Sequence, residues 1–274
     1  MTEAINPVDG TRIAFSLYPN DTSEWAASGA PALMLVHGSA LSSATWRTFG
    51  YLKALRDRYR LILPDLRGHG RSGTPHEEDA YAMDVIVADL VAVLDAAGVA
   101  RAHYLGYSVG ARAGLSLAVA APERLRTLML LGGSARPQHG ALDRLFFPGC
   151  VDVLARDGMD GFLAEWEKHR DGPLDPGTRA AFQANDSEAL VAYFRRSDRE
   201  PGIDDATLAA LDVPTLAVVG SEDHLRVEDT RAISRTVPGA RLAILRGFDH
   251  ATTVAAAPEV LSVLEPFLAA HAGP

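Results

Sequence analysis

Residues 102–121 read AHYLGYSVGARAGLSLAVAA, and this stretch decides the fold of the chain. Its opening apolar run predicts a buried strand, and its Ala-rich second half predicts a helix. Between the two, Gly106-Tyr107-Ser108-Val109-Gly110 matches the pattern G-x-S-x-G. A serine on such a sharp strand-to-helix turn has a strained backbone, so the positions two before and two after it must be nearly free of side chain. Gly106 and Gly110 meet that requirement, and the stretch therefore predicts that Ser108 is a nucleophile.

Apolar patterns on both sides of this stretch predict further strands and helices. Alternation at Ile13, Phe15 and Leu17 indicates a half-buried strand, whereas short continuous apolar runs indicate strands buried on both faces. The other strands are predicted at residues 32–36, 61–63, 102–105, 125–131, 214–219 and 240–245, and helices at 79–98, 109–121 and 258–270. Because strands alternate with helices, we expect an α/β fold with a mostly parallel, doubly wound sheet covered on both faces.

Residues 135–211 break this alternation. They carry helical patterns, such as Phe162 and Trp166 four residues apart, but no convincing strand. We therefore predict a helical cap at 135–211, inserted into an α/β core formed by 1–134 and 212–274. Open α/β sheets bind ligands at the carboxyl ends of their strands, and we expect the cap to cover that edge.

A serine hydroxyl is a weak nucleophile at neutral pH and needs a base that a third group orients. Of the nine histidines, His250 is the best candidate for the base, because it lies in the loop between the last predicted strand and the last predicted helix. Asp223 follows an apolar strand and projects from its carboxyl end, which makes it the preferred acid. Glu222 and Asp229 remain as alternatives.

The oxyanion that develops on a carbonyl under attack needs two preorganised backbone N–H donors. We expect one from Val109, at the amino end of the helix after Ser108, where free N–H groups and the helix dipole favour negative charge. The other is expected from the loop after His37-Gly38, either from Ser39 or, as second choice, from Ala40.

Taken together, these residues resemble the α/β-hydrolase superfamily over nearly the whole chain. Five segments match it in order, namely Leu35-Val36-His37-Gly38, residues 65–72, the serine turn at 106–110, residues 220–223, and Asp249-His250 with Pro258-Glu259 downstream. The order serine, aspartate, histidine is the one that this architecture uses. Within the superfamily the chain is similar to the capped serine esterase, enol-lactonase and cofactor-free perhydrolase group. Haloalkane dehalogenases and epoxide hydrolases are excluded, because they carry Asp at the nucleophile position.

The resemblance implies a serine hydrolase that cleaves a carboxylic ester or lactone through an acyl-enzyme, with no metal and no organic cofactor. Acyl transfer to an alcohol or peroxide uses the same residues. The His37-Gly38-Ser39 loop also resembles the C–C bond hydrolases of aromatic-ring breakdown, but these have further glycines and an Asn where this chain has Ala40 and Tyr107. A non-catalytic ligand receptor on the same fold is the alternative from another class.

Aromatic side chains near the serine and in the cap suggest how the substrate is bound. We expect Tyr107, beside the nucleophile, and Phe146, Phe162 and Trp166 of the cap to contact it. Ligand pockets are mostly lined by apolar and aromatic side chains, so an apolar acyl or alcohol group is predicted.

Composition excludes several other classes of protein. The formal net charge is −9, so no basic stripe exists to neutralise phosphates and we expect no nucleic-acid partner. Cys150 is the only cysteine, which excludes an intramolecular disulfide and a cysteine metal cluster. The first residues resemble no signal peptide, and the apolar runs are too short to span a membrane. We expect a cytoplasmic protein with a small-molecule ester or lactone as partner and no membrane association; a homodimer is left open.

Overall fold

A computed structural model gives the structure of this chain and describes residues 2–20, 22–170 and 172–271. Residues 1 and 272–274, the outer ends of the predicted core ranges, lie outside the described residues. Eight strands are described, and all belong to one sheet. They are β1 Thr2–Ile5, β2 Arg12–Tyr18, β3 Ala32–Val36, β4 Arg60–Pro64, β5 Ala102–Tyr107, β6 Leu125–Leu131, β7 Thr215–Gly220 and β8 Arg241–Leu245.

The sheet is mostly parallel, which confirms the fold class that the sequence predicts. Its strand order is β1-β2-β4-β3-β5-β6-β7-β8. β2 pairs antiparallel with both β1 and β4, and every other neighbouring pair is parallel. The sequence does not predict β1, because this four-residue edge strand buries Ala4 alone and leaves Ile5 59% exposed.

Helices make the crossovers that parallel strands require. The described α-helices are α1 Thr22–Ala27, α2 Ala44–Thr48, α3 Tyr51–Leu55, α4 Met83–Ala96, α5 Val109–Ala120, α6 Ala141–Leu145, α7 Cys150–Lys168, α8 Pro176–Gln183, α9 Ser187–Asp198, α10 Asp205–Ala209, α11 Val227–Thr236, α12 His250–Ala255 and α13 Ala257–Ala270. Within the ranges that the structure covers, every helix is too short or too polar to cross a lipid bilayer.

The sheet separates two hydrophobic clusters, as expected when both faces are covered. Along β3, Met34 and Val36 pack into the cluster that contains α4 and α5. Leu33 and Leu35 pack into the opposite cluster, which contains α3 and α13. Successive side chains of a strand point to opposite faces, so the continuous apolar run of β3 supplies both clusters at once.

Helices α6–α9 supply most of a third cluster, which Ala40 and Tyr81 of the core also join, and the described residues of 135–211 contain no strand. Helix α10 differs from them in its packing. Leu208 and Leu211 belong to the same cluster as α4 and α5, so they contact the core rather than the other cap helices. Helix α10 therefore packs with the core, and the cap boundary at residue 211 remains a prediction.

Candidate active site

Ser108 occupies the turn between β5 and α5. Its backbone has φ 55° and ψ −115°, in the left-handed half of conformational space that residues with a side chain rarely adopt. The Ser108 N–H donates to Leu131 O at 2.9 Å, which ties the turn to the neighbouring strand β6. Strain of this kind persists only where surrounding structure enforces it, and such positions cluster at functional sites.

The two glycines around Ser108 are required by space. A Cβ atom on Gly106 would lie 2.2 Å from Gly110 O, and one on Gly110 would lie 2.3 Å from Val36 O. Both distances are well below van der Waals contact with backbone atoms, so no side chain fits at either position. Helix α5 can therefore pack closely against β3 and β5 and present Ser108 at the carboxyl edge of the sheet.

The structure brings Ser108, His250 and Asp223 together. His250 Nε2 lies 3.0 Å from Ser108 Oγ, and His250 Nδ1 lies 2.7 Å from Asp223 Oδ2. With its proton on Nδ1, the imidazole donates to Asp223 and its Nε2 accepts the Ser108 hydroxyl proton. Asp223 is 2% exposed, and its second carboxylate oxygen accepts the Arg226 N–H at 3.1 Å. These bonds fix the tautomer and the orientation that a general base needs.

Neither alternative acid has this geometry. Glu222 is exposed and accepts a hydrogen bond from Ser221 Oγ. Asp229 accepts from Ser134 Oγ at 2.6 Å. The described part of the chain contains no group of three His, Cys, Asp or Glu side chains that could hold a metal ion.

Tyr107 supports the loop of His250 and does not line the cavity beside Ser108. Its side chain is buried, its hydroxyl donates to His250 O at 3.0 Å, and its ring centroid is 5.2 Å from that of the imidazole. This corrects the expectation that Tyr107 contacts the substrate. Tyr107 is the last residue of β5, and its ring packs into the cluster of α3 and α13.

Ser39 and Val109 line the same cavity as Ser108. Among the described residues, neither backbone N–H has a hydrogen-bond partner, so both can bind an oxyanion. Ala40, the second choice, has φ 58° and turns the chain, and its carbonyl accepts the Asn185 side-chain N–H at 2.9 Å. Ala40 is not among the residues that line this cavity, so the geometry favours Ser39.

The cavity beside Ser108 is lined by the core and the cap together, and much of its lining is polar. Leu142 and Leu145 supply apolar surface, whereas Gln138, Tyr193 and Glu200 supply polar groups. Burial raises the pKa of Tyr193 to about 12, so its phenol is protonated at neutral pH. This lining differs from the apolar pocket that the sequence predicts.

Phe146, Phe162 and Trp166 lie away from this cavity, which corrects the expectation that they contact the substrate. The ring centroid of Phe146 is 5.2 Å from that of Phe162 and 4.9 Å from that of Trp166, with edge-to-face geometry. All three pack in the cluster of α6–α9. A separate cap needs a hydrophobic core of its own, and these rings supply it.

Two residues that line the cavity, Arg112 and Arg226, are absent from the sequence-based prediction. A signal for Arg112 exists, since it is the single charged residue in the twelve of α5 and lies one helical turn after Ser108. Arg226 has no comparable signal, because it follows a polar loop in which charged residues are common.

Known proteins share this architecture. Residues 31–157 match the family model described as alpha/beta hydrolase fold. The chain is 30% identical over 252 residues to a 2-hydroxymuconate semialdehyde hydrolase from Pseudomonas putida, covering 88% of each chain. It is similar to the crystal structure of a hydrolase from Pseudomonas aeruginosa PA01, with a TM-score of 0.78, 27% identity and coverage of 97% and 98%. The enol-lactonase from Burkholderia xenovorans LB400 has the same fold, with a TM-score of 0.77, 20% identity and coverage of 96% and 98%.

Proposed function

Since this chain belongs to the α/β-hydrolase family, we propose that it is a serine hydrolase that cleaves a carboxylic ester or lactone through an acyl-enzyme. One observation carries the proposal: the hydrogen-bonded series from Ser108 Oγ through His250 to Asp223, with distances of 3.0 and 2.7 Å. A hydroxyl bonded to an imidazole nitrogen can transfer its proton as the oxygen attacks a carbonyl.

In the first half of the proposed reaction, Ser108 Oγ bonds to the carbonyl carbon and His250 Nε2 takes the hydroxyl proton. Asp223 stabilises the imidazolium that forms. The carbonyl oxygen becomes an oxyanion and accepts hydrogen bonds from the N–H groups of Ser39 and Val109. When the tetrahedral intermediate collapses, the bond to the alcohol oxygen breaks, and His250 gives its proton to that oxygen.

In the second half, water replaces the alcohol. His250 takes a proton from water while the water oxygen attacks the acyl carbon of the Ser108 ester. The same two N–H groups bind the second oxyanion. Collapse breaks the bond to Ser108 Oγ, the serine regains its proton from His250, and the carboxylic acid leaves. An alcohol or peroxide in place of water would give acyl transfer with the same residues.

A fluorophosphonate probe and p-nitrophenyl esters test this proposal. We expect one probe per wild-type chain, and we expect both labelling and ester turnover to disappear in Ser108→Ala. Ser116→Ala, on the same helix α5 but outside the cavity, is the matched control and should behave as wild type. Labelling that persists in Ser108→Ala would refute the nucleophile. Folded wild-type protein that neither labels nor turns over any ester or lactone would instead support a ligand receptor.

The similarity to 2-hydroxymuconate semialdehyde hydrolase supports one second candidate substrate, the compound for which that relative is named. Its consumption by the purified wild-type protein should be compared with that of the best ester, both as kcat/KM. A much higher value for the semialdehyde, lost in Ser108→Ala, would favour this candidate over an ester or lactone.

A further inference from the structure

Two buried guanidinium groups line the cavity that contains Ser108. Arg112 on α5 is 6% exposed, and Arg226, immediately before α11, is 8% exposed. The backbone N–H of Arg112 donates to Ser108 O at 3.0 Å, so the two residues are one helical turn apart. Arginine is rarely buried unless it is paired, so a buried arginine without an ion-pair partner in the protein is a candidate for binding an anionic ligand.

Arg112 has no ion-pair partner among the described residues. Its guanidinium donates to three backbone carbonyls, Ser134 O at 3.4 Å, Arg136 O at 3.1 Å and Pro201 O. Its buried Nε has no hydrogen-bond partner within the described ranges. Burial lowers the pKa of Arg112, which reflects the cost of holding an ion in this environment, and the negative charge of Glu200 offsets only part of this shift. A buried charge whose hydrogen bonds all go to neutral groups is costly, and a carboxylate that bonds to it directly would stabilise it.

Arg226 is only weakly paired. Its guanidinium donates to Gln138 Oε1 at 3.0 Å and lies 3.6 Å from Asp229, whose carboxylate also accepts from Ser134 Oγ. The Nε of Arg226, like that of Arg112, is buried without a hydrogen-bond partner in the described part of the chain. Burial lowers its pKa as well.

The carboxylates near these arginines already have other partners. Glu200 lines the cavity, but it accepts from Arg196 at 2.7 Å. Asp223 is bonded to His250 at 2.7 Å. The unpartnered side-chain donors of Arg112 and Arg226 therefore belong to cations, and cations suit an anionic group.

We propose that Arg112 and Arg226 form a carboxylate-binding subsite, so that the acyl part of the substrate carries a second, ionised carboxylate. This inference rests on the proposed ester or lactone hydrolysis. Guanidinium groups bind carboxylates through charge-assisted, often bidentate hydrogen bonds. A half ester of glutarate carries an ester and a free carboxylate in one small molecule, and it serves as the probe of this subsite.

Paired substrates that differ only in charge test the subsite. p-Nitrophenyl hydrogen glutarate is ionised, and its methyl-capped ester is neutral. We expect wild type to prefer the ionised ester by about tenfold or more in kcat/KM. Arg112→Gln and Arg226→Gln should each lose most of this preference, and kcat/KM on the ionised ester should fall by about tenfold more than on the neutral ester, mainly through KM. Arg112→Lys should recover only part of the loss, because the lysine ammonium cannot form the two parallel hydrogen bonds that a guanidinium donates to a carboxylate.

Arg195→Gln is the control, because Arg195 is exposed on α9 and pairs with Glu78 at 3.8 Å away from the cavity. It should keep the wild-type preference. Stoichiometric fluorophosphonate labelling and an unchanged melting temperature show whether each arginine variant is folded. If Arg112→Gln fails to fold, Arg112→Lys is tested in its place. A preference for the ionised ester as large as that of wild type in Arg112→Lys would overturn the proposal that the Arg112 guanidinium binds the carboxylate.

Binding to Ser108→Ala separates this inference from the proposed function. Monomethyl glutarate should bind in calorimetry, whereas dimethyl glutarate should bind at least about tenfold more weakly. Turnover of neutral esters with no preference for the ionised one would overturn the carboxylate-binding subsite but would agree with the proposed hydrolase function. Carboxylate binding that depends on Arg112, without turnover of any ester by the wild-type protein, would overturn the proposed hydrolase function but would agree with the carboxylate-binding subsite. Equal binding of both glutarates would overturn the subsite.

Discussion

The hydroxyl oxygen of Tyr193 lies 2.7 Å from Ser39 Oγ, so a side chain of helix α9 is bonded to the loop that is expected to bind the oxyanion. Asn185, between α8 and α9, bonds to the carbonyl of Ala40 in the same loop. Two cap side chains therefore contact adjacent residues of one core loop. The cap positions this loop as well as lining the cavity.

Tyr193→Phe removes the bond to Ser39 and keeps the ring. A hydrogen bond of this kind contributes about 1 kcal/mol, so we expect kcat for an ester to fall by about fivefold, with little change in KM. Tyr81→Phe is the matched control, because Tyr81 lies in the same cluster and its hydroxyl donates to Pro75 O. It should affect stability to a similar degree and leave kcat unchanged. Equal kcat values for the two variants would contradict the positioning role of Tyr193.

Asp223→Asn should lower ester turnover by about 10⁴-fold, because an amide no longer holds the imidazole in the required tautomer. Glu222→Gln and Asp229→Asn change the same charge on neighbouring carboxylates and should stay within about tenfold of wild type. The kcat values of all three variants, measured on one ester, decide the identity of the acid. Loss of activity in Asp229→Asn with Asp223→Asn near normal would show that Asp229 is the acid.

Gly110→Ala should destabilise the protein, since its Cβ would lie 2.3 Å from Val36 O. Overpacking typically costs about 1–3 kcal/mol of the free energy of unfolding, and here the clash involves rigid backbone. Gly29→Ala is the control, because a Cβ at that position meets nothing within 4 Å. Urea unfolding of both variants measures the difference, and equal stabilities would contradict the close packing of α5 on β3.

The acid sensitivity of the fold should depend partly on His69. Burial, followed by the charge of His37, lowers the pKa of His69 from 6.5 to about 3. Above pH 6.5 the side chain is neutral in both states and contributes nothing to the pH dependence. As the pH falls from 6.5 towards 3, the unfolded chain takes up a proton that the folded chain excludes, so the free energy of unfolding falls by about 1.4 kcal/mol per pH unit.

His69→Asn removes this titration. We expect the variant to be less stable than wild type at pH 7.5, because it loses the packing of the imidazole against His37 and Tyr193. The gap should shrink steadily below pH 6.5. Urea unfolding at pH 7.5, 6 and 5 measures this difference in the free energy of unfolding. A difference that stays constant over this range would show that the pKa of His69 is not lowered in the folded state.

The amino-acid sequence by itself predicted seven of the eight described strands and the position of the proposed nucleophile. Continuous apolar runs such as β3 and β6 specify strands buried on both faces, because few other structures bury every residue of a short run. The serine turn is equally local, since the glycines at 106 and 110 and the strain at Ser108 lie within five residues. His250 is identifiable because it follows the last strand of the sheet.

The tertiary structure alone decided which cap side chains and which arginines line the cavity around Ser108. Phe162 and Trp166 show the apolar spacing of an amphipathic helix, but that spacing is the same whether the face covers a cavity or packs in the cap's own core. Arg112 and Arg226 are far apart in sequence and meet only because β5 and β7 end at the same edge of a parallel sheet. Local patterns reflect the burial of each residue, whereas a binding site depends on which buried residues meet, and that is set by the packing of the whole chain.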